Sequence, residues 1–494
     1  MFESAELGHV TTKAEYEVLV PQLRTALLDA QFDLQQLKEF AVVLLVNGVD
    51  GAGKGETVNL LNEWMDPRHI VSHAFEAPTE EERERPFMWR FWRALPPKGK
   101  IGILFGNWYT EPLRNRVFKR TKKAELDQRL DEINRFETML VREGVLLIKL
   151  WFHLTREAQK QRLKSLEKNP ETRWRVTERD WLFFENYDRF HSVAERMLRH
   201  TSTGHAPWII VDGGDQRYRS LLAARTLLEA MQRRLKAAEQ KWLPRATAAP
   251  LPPAIDTRNL LNSLQLDRPL GKADYQAALA GLQGRLALLT RLPEFASRSV
   301  VLVFEGVDAA GKGGAIRRLT AALDARQYRV VPVAAPSEEE SAQPYLWRFW
   351  RQLPRQGKLV IFDRSWYGRV LVERVEGYCS EADWMRAFGE INDFEDQLIE
   401  AGAIVLKFWL SISKEEQLRR FREREAEPHK RYKITPEDWR NRERWDDYER
   451  AVCDMIDRSS TENAPWTLVE ANNKYYARIK VLETVCDRIE AALK

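Results

Sequence analysis

One lysine, two aspartates and a crowd of arginines in the second half of this chain have the types and spacing for phosphoryl chemistry. Gly306, Gly311 and Lys312 form G-x-x-x-x-G-K. In that pattern backbone N–H groups curl around an anion while the lysine reaches its outer phosphates. The next residue is Gly313, where such loops ordinarily carry a Ser or Thr that holds Mg2+. The missing oxygen then falls to Asp308, inside the loop, and to Asp363, which ends the apolar run LVIFD and is followed by Arg364. A carboxylate at such a strand end holds Mg2+ directly or through water. Arg317 and Arg318 follow the loop, and Arg419, Arg420, Arg422, Arg424, Lys430, Arg431 and Lys433 crowd into one span interrupted by Pro428. Such a span suits a lid that brings arginines to phosphate oxygens. It also suits a solvated helix face, with Glu423 and Glu425 as intrahelical partners.

These residues need elements to hold them. The apolar run ahead of Gly306 reads as a strand, and a helix is expected from Lys312. Further strands, YRVVPVA, KLVIFD, AIVLKFWL and WTLVE, alternate with helical stretches. That alternation predicts an α/β fold: a parallel sheet with helices on both faces, a helical lid, and the loop at the carboxyl edge where ligands bind. The WRFW box from Trp347 to Trp350 reads as core and helix packing.

The whole arrangement occurs twice. Lys312 lies 258 residues after Lys54, and the same shift maps PYLWRFWRQLP onto PFMWRFWRALP, Trp366-Tyr367 onto Trp108-Tyr109 and Ala464-Pro-Trp466 onto Ala206-Pro-Trp208. We therefore expect two tandem phosphate-loop domains, residues 1–245 and 246–494, joined through the Pro/Ala-rich KWLPRATAAPLPPAID. The copies differ where chemistry is at stake. Asp363 becomes Phe105, Arg364 becomes Gly106, and Arg317 and Arg318 become Asn59 and Leu60. Glu373 becomes Asn115, Arg424 becomes Leu166 and Lys430 becomes Thr172, while Gly48, Asp50, Gly53 and Lys54 remain. Metal stabilisation of a transferring phosphoryl group contributes several kcal/mol, so the first copy is expected to be inactive and the second to be the catalyst.

Composition narrows the partners. The formal charge is +5 over 494 residues, which excludes a general nucleic-acid binder and leaves local clustering to recognise any polyanion. Three scattered cysteines, Cys379, Cys453 and Cys486, suit a reducing cytoplasm, and no apolar run is long enough to span a membrane.

The segments FEGVDAAGKGGAIRR, FDRSWYGRVLVERV and PHKRYKI resemble the polyphosphate kinase 2 family, and the resemblance covers nearly the whole chain, once per copy. It implies a thymidylate-kinase-like phosphate-loop fold and Mg2+-dependent transfer between inorganic polyphosphate and a nucleotide. Its fused, two-copy members phosphorylate AMP to ADP. The resemblance makes Asp308 and Asp363 the metal carboxylates, Lys312 the phosphate lysine, and Arg317 and Arg318 part of a polyphosphate track. It puts Arg364, Glu373, Arg420, Arg424, Lys430 and Lys433 around the nucleotide and the transferred group. ADP or GDP as acceptor, ATP as donor, and a phosphate-binding scaffold without turnover stand as alternatives. A fused pair is also expected to pack as a pseudo-dimer or to form homo-oligomers.

Overall fold

The computed structural model describes residues 1–239, 260–429 and 431–494, with the side chains of Glu239 and Lys433 excepted. The expected linker at 241–256 and the boundary between residues 245 and 246 lie outside the described residues.

Each copy folds as the alternation predicts. In the first, β1 (Val42–Gly48), β2 (Ile70–Ala74), β3 (Ile101–Phe105), β4 (Leu146–His153) and β5 (Trp208–Asp212) form an all-parallel sheet in the order β2-β3-β1-β4-β5. In the second, β6 (Ser299–Gly306), β7 (Tyr328–Pro332), β8 (Leu359–Asp363), β9 (Ala403–Ser411) and β10 (Trp466–Glu470) repeat that topology as β7-β8-β6-β9-β10. Central parallel strands are covered on both faces, which is why β1 and β6 are continuous apolar runs without alternation.

The register sets the site. Phe304 on β6 pairs with Asp363 on β8 and with Phe408 on β9, so Asp363 emerges beside the strand that feeds the loop. One face of the second sheet is closed by the helices Lys272–Leu289 and Lys474–Leu493, whose Leu286, Val481, Val485 and Ile489 pack with Leu302 and Phe304. Immediately after Asp363, a buried polar cluster pins the chain to the sheet. Lys407 on β9 donates to Glu395 at 2.7 Å, and the same carboxylate accepts from Tyr367 at 2.7 Å and Trp366 at 3.0 Å. The first copy repeats the cluster with Lys149, Glu137, Tyr109 and Trp108.

The described chain divides into two compact units, and neither is a simple half of the sequence. One comprises Met1–Pro78, the described part of Arg90–Pro244, and Pro336–Trp347; the other comprises Thr79–Trp89, the described part of Arg245–Ala335, and Arg348–Lys494. Each unit thus includes a short segment of the other copy, the stretch around the WRFW box. Within the second unit, Arg85 donates to the Leu353 carbonyl at 3.1 Å and Glu84 pairs with Arg355. The boxes are core, as expected: Trp92 and Trp350 are both buried. No helix among the described residues is long and apolar enough to cross a membrane.

Candidate functional site

The loop of the second copy has the backbone a phosphate cradle requires. At Gly306 φ is +148°, and a Cβ there would stand 2.5 Å from the Leu410 carbonyl oxygen, so only glycine lets β6 turn beside β9. Gly311, with φ +112°, opens the helix Lys312–Thr320, whose free N–H groups and dipole face the loop. Lys312 folds back over the loop and donates to the Gly306 carbonyl at 2.7 Å. Burial lowers its pKa, against the opposing pull of Asp308.

Around the loop the expected residues are brought together, with differences. Asp308 is gripped on both oxygens, by Arg364 at 3.1 Å and by the Asn441 amide at 2.9 Å. Tyr448 in turn donates to the Asn441 carbonyl oxygen at 3.2 Å, which fixes which end of that amide faces Asp308. Asp363 adds its charge to the same cluster, and its carboxylate has no hydrogen-bond or ion-pair partner among the described residues. A Cβ at Gly313 would meet nothing within 4 Å. Two carboxylates, one of them free, and open space where a hydroxyl usually stands fit a hard divalent cation with oxygen ligands.

Arg364 adopts a left-handed backbone, φ +65°, which costs a non-glycine residue about 1 kcal/mol. Its counterpart Gly106 has φ +69°. The first copy keeps the bend and discards the side chain, so in the second copy the strain is tolerated for the guanidinium.

Two cavities flank the loop. One, of about 300 Å³, is lined by Gly306 and Asp308 of the loop, by Arg364 and Glu437, and by Trp409, Trp445 and Tyr448. The other, of about 250 Å³, takes the opposite part of the loop, Ala309 to Gly311, together with Arg317, Arg318, Arg424, Lys474 and Arg478. Aromatic and apolar groups dominate the first, cations the second.

Other expected residues stand elsewhere. Glu373 is engaged with Arg369 at 3.2 Å and lines neither cavity. Arg419 pairs with Glu416 and Glu423 on its own helix, the solvated-face alternative. Lys430 and the Lys433 side chain lie outside the described residues. Arg420 is the notable departure: it is buried, and all five of its N–H donors are taken. Nε donates to Glu416 at 2.5 Å, one terminal nitrogen to the carbonyls of Ala309 and Ala310 at 2.9 and 3.0 Å, and the other to those of Ala471 and Asn472 at 2.7 and 2.9 Å. In this arrangement it staples the loop to the end of β10 and has no donor left for a phosphate.

Two site residues escaped sequence reasoning. Glu305 lies buried under the loop, accepting from Ser365 at 2.8 Å; burial pushes its carboxyl pKa up, with Lys312 pulling it back. Asn441 is the other. Both were accessible to the copy comparison, since Glu305 aligns with Asn47 and Asn441 with Phe183. In the first copy Asn107 donates to Asn47 at 2.6 Å, a neutral pair in place of the buried carboxylate.

A family model described as Polyphosphate kinase 2 (PPK2) matches residues 10–239 and again 269–494. The chain is 59% identical over 494 residues to the polyphosphate:AMP phosphotransferase of Pseudomonas aeruginosa, covering 100% of this chain and 99% of that protein. It is 54% identical over 492 residues to that of Pseudomonas syringae pv. tomato, covering 100% and 99%. A crystal structure of a polyphosphate kinase 2 from Pseudomonas aeruginosa superposes with a TM-score of 0.90 at 57% identity, covering 100% of this chain and 99% of that one.

Proposed function

Because the chain belongs to the polyphosphate kinase 2 family, we propose that it transfers a phosphoryl group from inorganic polyphosphate to AMP, giving ADP, and that its second copy is the catalyst. One observation carries the reading: a single phosphate loop lies between two cavities of opposite chemistry, one aromatic and one cationic. A nucleoside monophosphate fits the first, its base against Trp445 and Tyr448 and its phosphate toward Arg364. A chain of phosphates fits the second, where Arg317, Arg318, Arg424, Lys474 and Arg478, with the staple arginine beside them, face one carboxylate, Glu423. Donor and acceptor then meet across the loop, as direct transfer between two phosphates requires.

No protein nucleophile is needed, because the acceptor oxygen is already ionised at neutral pH. The work is positioning and charge stabilisation. Lys312 and the N–H groups at the start of its helix bind phosphate oxygens, and Arg364 orients Asp308 while facing the acceptor side. Asp308 and Asp363 are the residues that would hold Mg2+, which supplies charge neutralisation to the transferring group. Arg420 and Asn441 hold the loop and Asp308 in place.

The test is direct. Purified protein is incubated with AMP, Mg2+ and polyphosphate, with ATP as competing donor and ADP or GDP as competing acceptors. Formation of ADP from AMP and polyphosphate is the expected result; its absence refutes the reading.

A further inference from the structure

The first copy keeps the loop backbone, yet its cradle is filled from within. Glu56, which aligns with Gly314, sits in the first turn of the helix Lys54–Trp64, beside the loop. Its carboxylate meets Arg162 at 3.0 Å, Arg175 at 3.0 Å and, most closely, Arg219. Arg219 is only 3% exposed, and its Nε has no hydrogen-bond partner among the described residues. That group lies against Gly53, where a Cβ would collide with the guanidinium. A buried guanidinium N–H left unpaired beside a phosphate loop is a donor without its acceptor.

The aligned positions show what the place is in the working copy. Gly314, Arg420 and Ala477, the counterparts of Glu56, Arg162 and Arg219, all line the cationic cavity of about 250 Å³. Arg175 aligns with Lys433 and comes from the short helix Arg173–Arg175 that follows the lid helix Arg156–Lys168. One carboxylate thus fills the cradle and ties the lid to it. Lys54 is also turned inward, pairing with Asp50 at 2.9 Å. Four cations, Lys54, Arg162, Arg175 and Arg219, still face three carboxylates, Asp50, Glu56 and Asp215, so the filled cradle retains a small positive excess that suits a polyanion.

We propose that the first copy contains a second condensed-phosphate cradle, kept closed by Glu56 acting as an internal anion. With Glu56 in place, the three arginines converge on its carboxylate. Without it, they take the terminal phosphates of an inorganic oligophosphate. Only the choice of ligand class rests on the proposed function; the closed cradle itself is read from the first copy.

Calorimetric titration of the full chain with inorganic tripolyphosphate tests this. The Glu56→Gly chain, carrying the residue of the working copy, is expected to bind one equivalent more per chain than wild type, two against one. Glu56→Gln, which keeps the side-chain volume and removes the charge, is expected to gain the same site, guarding against a helix weakened by glycine. Arg219→Ala in the Glu56→Gly background should lose the gained equivalent. ADP formation should stay at the wild-type rate in both Glu56 variants. No gain of stoichiometry in either Glu56 variant, or two equivalents already bound by wild type, overturns the proposal. A wild-type chain that makes no ADP but whose Glu56 variants still gain a site would sink the proposed function and leave the cradle standing.

Discussion

Replacing Arg420 by lysine separates a stapling role from a catalytic one. In the native arrangement the guanidinium joins Glu416, two loop carbonyls and two carbonyls past β10 through five hydrogen bonds. Lysine has three donors on one atom and can keep the Glu416 pair and at most one nearby carbonyl pair. Two or more hydrogen bonds from a buried charged donor are lost, each contributing about 1.5–3 kcal/mol, and the abandoned carbonyls find little water. A loss of about 3–5 kcal/mol follows, a large fraction of the roughly 5–15 kcal/mol that holds a domain together. The assay is urea denaturation followed by tryptophan fluorescence, alongside kcat and KM for polyphosphate. The expected outcome is a lower denaturation midpoint, with turnover falling because the loop carbonyls at Ala309 and Ala310 are no longer held. An unchanged denaturation curve with turnover abolished would refute the reasoning, since the guanidinium would then act on phosphate and not on the fold.

Further outcomes follow from other particulars. Arg364→Gly relieves a left-handed residue worth about 1 kcal/mol of strain and restores what Gly106 has in the first copy, so thermal stability should be unchanged or raised while ADP formation collapses; a clear loss of stability contradicts the strain argument. Glu395→Ala strips Lys407, Tyr367 and Trp366 of their shared acceptor and should destabilise the second unit by about 3–5 kcal/mol, with the Glu395→Ala/Lys407→Met pair substantially milder in the same denaturation experiment. Burial pushes the thiols of Cys379 and Cys486 up to about 11. At pH 8 only about one in a thousand of each is thiolate, against about one in four for an ordinary thiol, so native protein should react with iodoacetamide slowly and urea-unfolded protein fast; equal rates would refute this.

How much of this the sequence discloses depends on the kind of interaction. The loop was legible because Gly306, Gly311 and Lys312 act on their own backbone within a few residues. The sheet was legible because buried parallel strands must be apolar runs. The constant shift of 258 residues made the losses at Phe105 and Gly106 visible without coordinates. Direction, by contrast, is not written in a charge run. Arg420 and Arg424 stand four residues apart on one helix and both line the cationic cavity, yet the first spends its donors on Glu416 and on backbone carbonyls of the loop and of the chain after β10. Asn441 reaches Asp308 across 133 residues of sequence, and nothing local announces an asparagine as the partner of a carboxylate. That Thr79–Trp89 groups with the second unit and Pro336–Trp347 with the first also left no sequence signal, since the two segments occupy matching places in the two copies. Glu56 was visible as a departure from Gly314, but its meaning came from the three guanidinium groups folded onto it.

The central claim is that both copies keep a phosphate loop and only the second performs transfer. It is tested most directly by measuring ADP formed from AMP and polyphosphate by three variants of the full chain: Lys312→Ala, Asp363→Asn and Lys54→Ala. Turnover should vanish in the first two and remain near wild type in the third, because Lys54 is engaged with Asp50 and the loop carbonyls and has no carboxylate at Phe105 to work with. A loss in Lys54→Ala as deep as that in Lys312→Ala would contradict the account.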